Sequence, residues 1–144
     1  MSIKLCVLGS GSRGNCTFIG TETTRILIDA GLSARKTAAR LEDIGETIEA
    51  IDAICVTHEH GDHIAGIRVL HKKYGIAVYA NGGTMDGVRV SMKGADLRSF
   101  QFTTGSAFGI GDMELEPFPL SHDAYEPVGF VIRTGGRSIG LATD

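Results

Sequence analysis

The sequence predicts one mixed α/β domain, and three observations carry that prediction. Short apolar runs recur along the 144 residues, and 20 glycines fall largely between them, as tight turns require. Between those runs lie stretches whose apolar residues repeat at helical spacing. Hydrophobic content of 42% with 22% charged residues is that of a globular protein and excludes a disordered chain or a fibre. A net charge of −3 gives no overall case for nucleic-acid binding, so any basic surface is local. No apolar stretch approaches the ~20 residues that cross a bilayer.

Taken in order, residues 3–8 read as a buried strand, and the glycine-rich 9–15 as a loop. Residues 16–19 and 25–29 form two strands of a hairpin around a turn at 20–24. Ser33 is a suitable N-cap for a helix over 34–44, with Ala34, Ala38, Leu41 and Ile44 on one face and Gly45 as its stop. A strand follows at 53–57. Ile64, Ile67, Leu70 and His71 predict a helix over 63–73, ended by Gly75. Residues 76–80 are a strand, and 84–93 a short helix weakened by Gly87. Beyond Ser99 the texture becomes strands and turns, with strands at 100–103, 107–110, 113–120, 128–133 and 138–142. Cys6 and Cys55 read as small core residues and Cys16 as a third strand position. Three cysteines at no metal spacing imply no disulfide framework, which suits a reducing cytoplasm.

The densest chemical signal is His58-Glu59-His60-Gly61-Asp62-His63, which holds three of the five histidines. It directly follows a buried strand. Imidazole nitrogens and a carboxylate are donors for Zn²⁺, Mn²⁺ or Fe, so the chemistry indicated is metal-activated water. Without a cation, such crowding only brings together rings that repel when protonated. His58 and His60 would reach one ion, and Asp62 and His63 a second. Two ions ~3.5–4 Å apart can share a hydroxide and hold the attacking and leaving oxygens of a phosphate ester. Glu59 occupies a spacer position, pointing away or accepting from an imidazole N–H. His71 reads as structural or solvent-exposed.

A competing motif is Gly9-x-Gly11-x-x-Gly14, with Asp29 further on, which mimics a dinucleotide fingerprint. The fingerprint needs a helix after its last glycine. Here the β-rich Cys16-Thr17-Phe18-Ile19 follows, so the motif reads as a tight loop approaching another element. Its Ser10, Ser12 and Asn15 remain candidates for contact with a substrate phosphate. Two more candidate ligands end apolar strands, His122 and Asp144. Taken singly, each also suits a surface imidazole or a terminal carboxylate.

Together, His58-x-His60-x-Asp62-His63, His122 and Asp144 resemble the ordered ligand set of the metallo-β-lactamase superfamily. The segments 8–16, 27–33, 79–81 and 121–130 resemble its YycJ/WalJ (VicX)-like nuclease subgroup, so the resemblance covers the whole chain. It implies an αββα sandwich, two divalent metal ions, and DNA exonuclease activity. By position, His58, His60 and His122 resemble the first metal site, Asp62 and His63 the second, and Asp144 the bridging carboxylate. Asp62, His63 and Asp144 would then be the catalytic set, and Asp29 the buried aspartate supporting the metal loop.

The family's further histidine, beyond the bridging aspartate, has no counterpart in this chain, and family members are longer. The expectation is therefore one domain over 1–144, truncated at its C-terminal end, with the second metal site incomplete. Such a piece would have weak catalysis and a last strand open to self-association. The function expected of the whole protein is that of a metal-dependent phosphodiesterase using a metal-bridging hydroxide, with nucleic acid, DNA first, as substrate and no membrane partner. Zinc is the default metal, and manganese or iron also suits the ligands. Alternatives are a thioesterase, lactamase or cyclic-nucleotide phosphodiesterase on the same scaffold, or a non-enzymatic regulatory module. Arg13, Arg35, Lys36 and Arg40 offer a candidate phosphate-contacting patch.

Overall fold

A computed structural model describes residues 2–94 and 96–142. Among the described residues, ten strands form two sheets. The first sheet holds β1 (Lys4–Gly9), β2 (Cys16–Gly20), β3 (Arg25–Ile28), β4 (Ala53–Cys55), β5 (Ala77–Ala80) and β6 (Ser99–Gln101), in that spatial order. Tight loops make β1, β2 and β3 antiparallel, whereas β3 through β6 run parallel. Parallel neighbours need crossovers, and three stretches supply them: α1 (Ala34–Asp43), the pair α2 (Gly61–Ile64) and α3 (Ile67–Tyr74), and α4 (Gly82–Ser91). The second sheet is antiparallel, with β7 (Phe108–Ile110), β8 (Met113–Pro119), β9 (Val128–Thr134) and β10 (Arg137–Leu141) in the order β10-β9-β8-β7.

The two-residue period of a strand sorts the side chains into two cores. Phe18, Leu27, Ile54 and Val78 face the helices and meet Leu41, Ile67, Leu70, Met85 and Val88. Their neighbours Ile19, Ile26, Ile28, Ala53 and Cys55 face the second sheet and meet Leu115, Val128, Phe130 and Ile132. Strands β3 and β4 are therefore covered on both faces and, apart from Arg25 at the start of β3, are apolar, as parallel central strands require. The described residues form three of the four expected layers, helices, sheet and sheet. Arg133 on the outer face of the second sheet pairs with Glu114 and Glu116.

Several boundaries differ from the sequence expectation. The strand expected over 25–29 stops at Ile28, because Asp29 turns to φ +66°. The strand expected over 53–57 stops at Cys55. The helix expected over 63–73 is split at Ala65 and Gly66. A Cβ on Gly66 would lie 2.1 Å from the Leu32 carbonyl oxygen, so close backbone packing there takes precedence over helix continuity. Helix α4 begins two residues earlier than expected because the Asn81 side chain caps it by accepting from the Thr84 N–H. Ser33 caps α1 as expected, accepting from Lys36 N–H. A short 3₁₀ turn at Ile48–Ala50 was not anticipated. Cys16 and Cys55 are buried, while Cys6 is only half-buried beside the helix-side core.

Candidate metal centre

The site grows from the ends of the central strands. After Cys55 the chain leaves β4 still tied on both sides. Val56 N–H donates to the Tyr79 carbonyl, and Val128 N–H of β9 donates to the Thr57 carbonyl at 2.9 Å. The loop Thr57–His60 is thus held by both sheets. His60 has extended backbone and precedes the first turn of α2, which carries Asp62 and His63.

Asp29 organises this loop. It is 1% exposed, and its left-handed backbone swings the carboxylate under the loop. Three groups donate to that carboxylate, Thr57 N–H at 2.7 Å, Thr57 Oγ1 at 2.7 Å and His63 Nδ1 at 2.6 Å. Burial pushes the Asp29 carboxyl upward, while the bonds from His63 and Thr57 pull it back.

These bonds also settle the tautomers. The Thr57 hydroxyl gives its proton to Asp29, so it accepts from His58 Nδ1, 2.9 Å away. His58 therefore carries its proton on Nδ1 and offers the Nε2 lone pair. His63 likewise donates from Nδ1 to Asp29. A carboxylate or hydroxyl behind each imidazole is the arrangement that orients metal ligands.

His58, His60 and His122 each bring a ring nitrogen to within 4.8 Å of the others, a group that could hold a metal ion. Their rings stand edge to face, with centroids 4.7–4.9 Å apart. His122 comes from the loop between β8 and β9, so the second sheet supplies the third donor. The Nε2 atoms of His58 and His122 are buried with no hydrogen-bond partner among the described residues. Burying an imidazole lone pair without a partner is costly, and a divalent ion removes that cost. Burial, then the nearby rings of His63, His60 and His122, pushes His58 down to about 4, which keeps it neutral and able to ligate.

Asp62 and His63 lie beside this cluster. His63 and His58 have ring centroids 4.0 Å apart, and His63 Nε2 is 3.6 Å from Asp62 Oδ2. Asp62 Oδ2 also accepts from Asn15 Nδ2 at 3.1 Å, and Asn15 N–H donates to the Asp62 carbonyl at 2.7 Å. The glycine-rich loop is thus a buttress for the metal loop, and Gly31 makes the approach possible. A Cβ on Gly31 would lie 1.7 Å from the Asp62 carbonyl oxygen.

Several candidate residues are bonded within the protein. The Asn15 amide is bonded to Gly11 and Asp62, so of the three residues named for phosphate contact only Ser10 and Ser12 present exposed side chains. Glu59 does not back an imidazole, because its carboxylate accepts from Tyr125 N–H at 3.1 Å. His71 stands apart, its Nδ1 donating to the Ile76 carbonyl and its Nε2 accepting from Arg98 N–H. Arg40 of the basic patch donates to the Leu8 carbonyl at 2.7 Å. Asp144 lies outside the described residues. The sequence reading missed Thr57, whose position between a buried strand and the first histidine was its only signal.

The profile of the beta-lactamase superfamily domain matches residues 24–144. The exodeoxyribonuclease YycJ of Bacillus anthracis is 39% identical over 145 residues, covering 100% of this chain and 55% of that protein. The exodeoxyribonuclease WalJ of Streptococcus pneumoniae is 38% identical over 147 residues, again across 55% of its length. The chain thus spans about half the length of these relatives. Among solved structures, a metallo-β-lactamase of Cronobacter sakazakii superposes with a TM-score of 0.82 at 20% identity, over 96% of this chain and 60% of that one. The metallo-β-lactamase fold protein YhfI of Bacillus subtilis gives 0.77 at 17% identity, over 96% of this chain and 60% of that one.

Proposed function

The chain belongs to the beta-lactamase superfamily, and on that premise we propose that it carries the first metal site of a metal-dependent phosphodiesterase that degrades DNA. The observation that carries this reading is the His58, His60 and His122 cluster, with two buried Nε2 atoms that have no partner among the described residues. Three imidazoles suit zinc first, with manganese or iron next. A bound divalent ion would supply an activated water and offset charge on the phosphoryl oxygens.

The chain's own residues do the rest. Asp29 and Thr57 fix the ring orientation and proton position of His63 and His58. Asn15 holds Asp62 in place. Asp62 and His63 are assigned to a second ion, and Asp144 is assigned to both ions on sequence grounds. The neutral state of His58 spares the site a proton release on loading. DNA as substrate rests on the exodeoxyribonuclease relatives.

No described helix is long and apolar enough to cross a membrane. Copies of this chain are proposed to associate through the β10 edge and the exposed Leu5 and Val7 of β1. Sedimentation showing only monomer at high concentration would remove that proposal.

The test of function uses the full-length protein, freed of metal and reloaded with zinc or manganese, on end-labelled DNA. Release of nucleotides that disappears in His58→Ala and His122→Ala is the expected outcome. Undiminished hydrolysis by both variants, or by the chelated protein, would overturn the assignment.

A further inference from the structure

A second feature borders the metal loop. Tyr125 is 73% exposed and Val90 78% exposed, although both are apolar in bulk. With Gly83 and Asp86 they line a cavity of about 300 Å³ between α4 and the loop that follows His122. An exposed aromatic ring usually sits on a loosely held segment, but this one does not. Its backbone N–H is bound by Glu59, the residue between the ligands His58 and His60. The adjoining Glu126 accepts from Gly83 N–H at 3.1 Å and Thr104 Oγ1 at 3.0 Å, and its carbonyl accepts from Asn81 Nδ2 at 2.8 Å and Thr84 Oγ1 at 3.4 Å.

Two glycines bring α4 up to this loop. A Cβ on Gly87 would lie 2.4 Å from Glu59 Cγ, and one on Gly83 would lie 3.3 Å from Tyr125 Cβ. The backbone that carries the ring is therefore tied to the histidine loop, and the ring itself stands exposed to solvent.

We propose that this cavity is a nucleobase subsite, in which Tyr125 stacks on a base of the nucleic-acid strand held at the metal centre. The proposal rests on the phosphodiesterase reading and adds a positioning residue to it. Stacking on a pre-placed aromatic ring needs no ordering of the loop, and every base has a face to offer. The charge of the cavity distinguishes base from backbone. The Asp86 carboxylate repels phosphate and accepts from ring N–H or exocyclic amino groups. Val90 supplies apolar contact on the same wall.

The test is a cycle crossing protein and substrate changes, run on the full-length, metal-loaded protein. The probes are an intact single-stranded oligodeoxynucleotide and a series each carrying one abasic position. Tyr125→Ala is expected to raise KM on the intact strand by about 5- to 150-fold, the range of one stacked base, while Tyr125→Phe restores it. At one abasic position the wild type should lose the same factor, and Tyr125→Ala should add nothing to that loss. An unchanged KM for Tyr125→Ala overturns the subsite, as does a loss of equal size on every abasic substrate. Thermal unfolding of both variants guards against a folding defect, which the exposure of the ring makes small. Absence of any DNA hydrolysis by the wild type overturns the phosphodiesterase reading and the subsite with it, whereas hydrolysis indifferent to Tyr125 overturns the subsite alone.

Discussion

Thr57 hands the Asp29 charge on to the imidazole of His58 through one hydroxyl, with both of its hydrogen bonds under 3 Å. Thr57→Val keeps the shape and removes that link, leaving the His58 Nδ1 proton buried without an acceptor. Zinc affinity, measured by competition with a chelating dye, should fall about 10- to 100-fold, and Thr57→Ser should recover most of it. The same ring sets an acid limit. In the metal-free folded chain His58 titrates at about 4, below its ordinary 6.5. As pH drops under 6.5 the unfolded chain takes up a proton that the folded one refuses. The contribution of this ring is complete above pH 6.5 and is lost as pH falls towards 4. The unfolding midpoint of metal-free protein should fall across that window, and the fall should be shallower in His58→Gln. At this scale the histidine-aspartate spacing was plain in the sequence, because ligand chemistry permits few residue types. Thr57 was not plain, since a threonine closing a strand is common and its two partners are set by folding.

At the scale of elements, the site depends on loops that nearly touch. Gly31 and Gly66 let the segment after β3 lie directly against the turn of α2. Gly31→Ala would drive a methyl group into the Asp62 carbonyl, and only backbone movement relieves it. A destabilisation of about 3 kcal/mol or more is expected by chemical denaturation, among the large effects of single substitutions. Gly61→Ala provides the contrast, because its Cβ meets nothing within 4 Å, and its effect should stay within about 0.5 kcal/mol. Strand existence was readable because apolar runs and glycine turns alternate regularly. The break between α2 and α3 was hidden, because it answers to the Leu32 carbonyl rather than to any residue nearby in sequence. Gly87 looked like a weakness in α4 and instead makes room for Glu59.

For the whole molecule, three donors drawn from both sheets should make metal binding and folding one equilibrium. Zinc at a hundred times its dissociation constant should stabilise the chain by about 2.7 kcal/mol, seen as a raised unfolding midpoint. The effect should vanish in His60→Ala, His122→Ala. The layered stacking was legible only from the family resemblance, since periodicity supplied the separate strands and helices but not how they pack. The relation between His122 and the first two histidines came from that resemblance alone, because no local pattern reports which strand ends converge.

The tie between Val128 N–H and the Thr57 carbonyl has a temporal side. During synthesis His60 emerges well before His122, which lies 62 positions further along (122 − 60). A passing ion meets only a partial, weak grip on the nascent polypeptide until β8 and the loop after it have left the ribosome. The full set of three imidazoles therefore assembles only when the second sheet has docked on the first, which makes a divalent ion a probe of late folding.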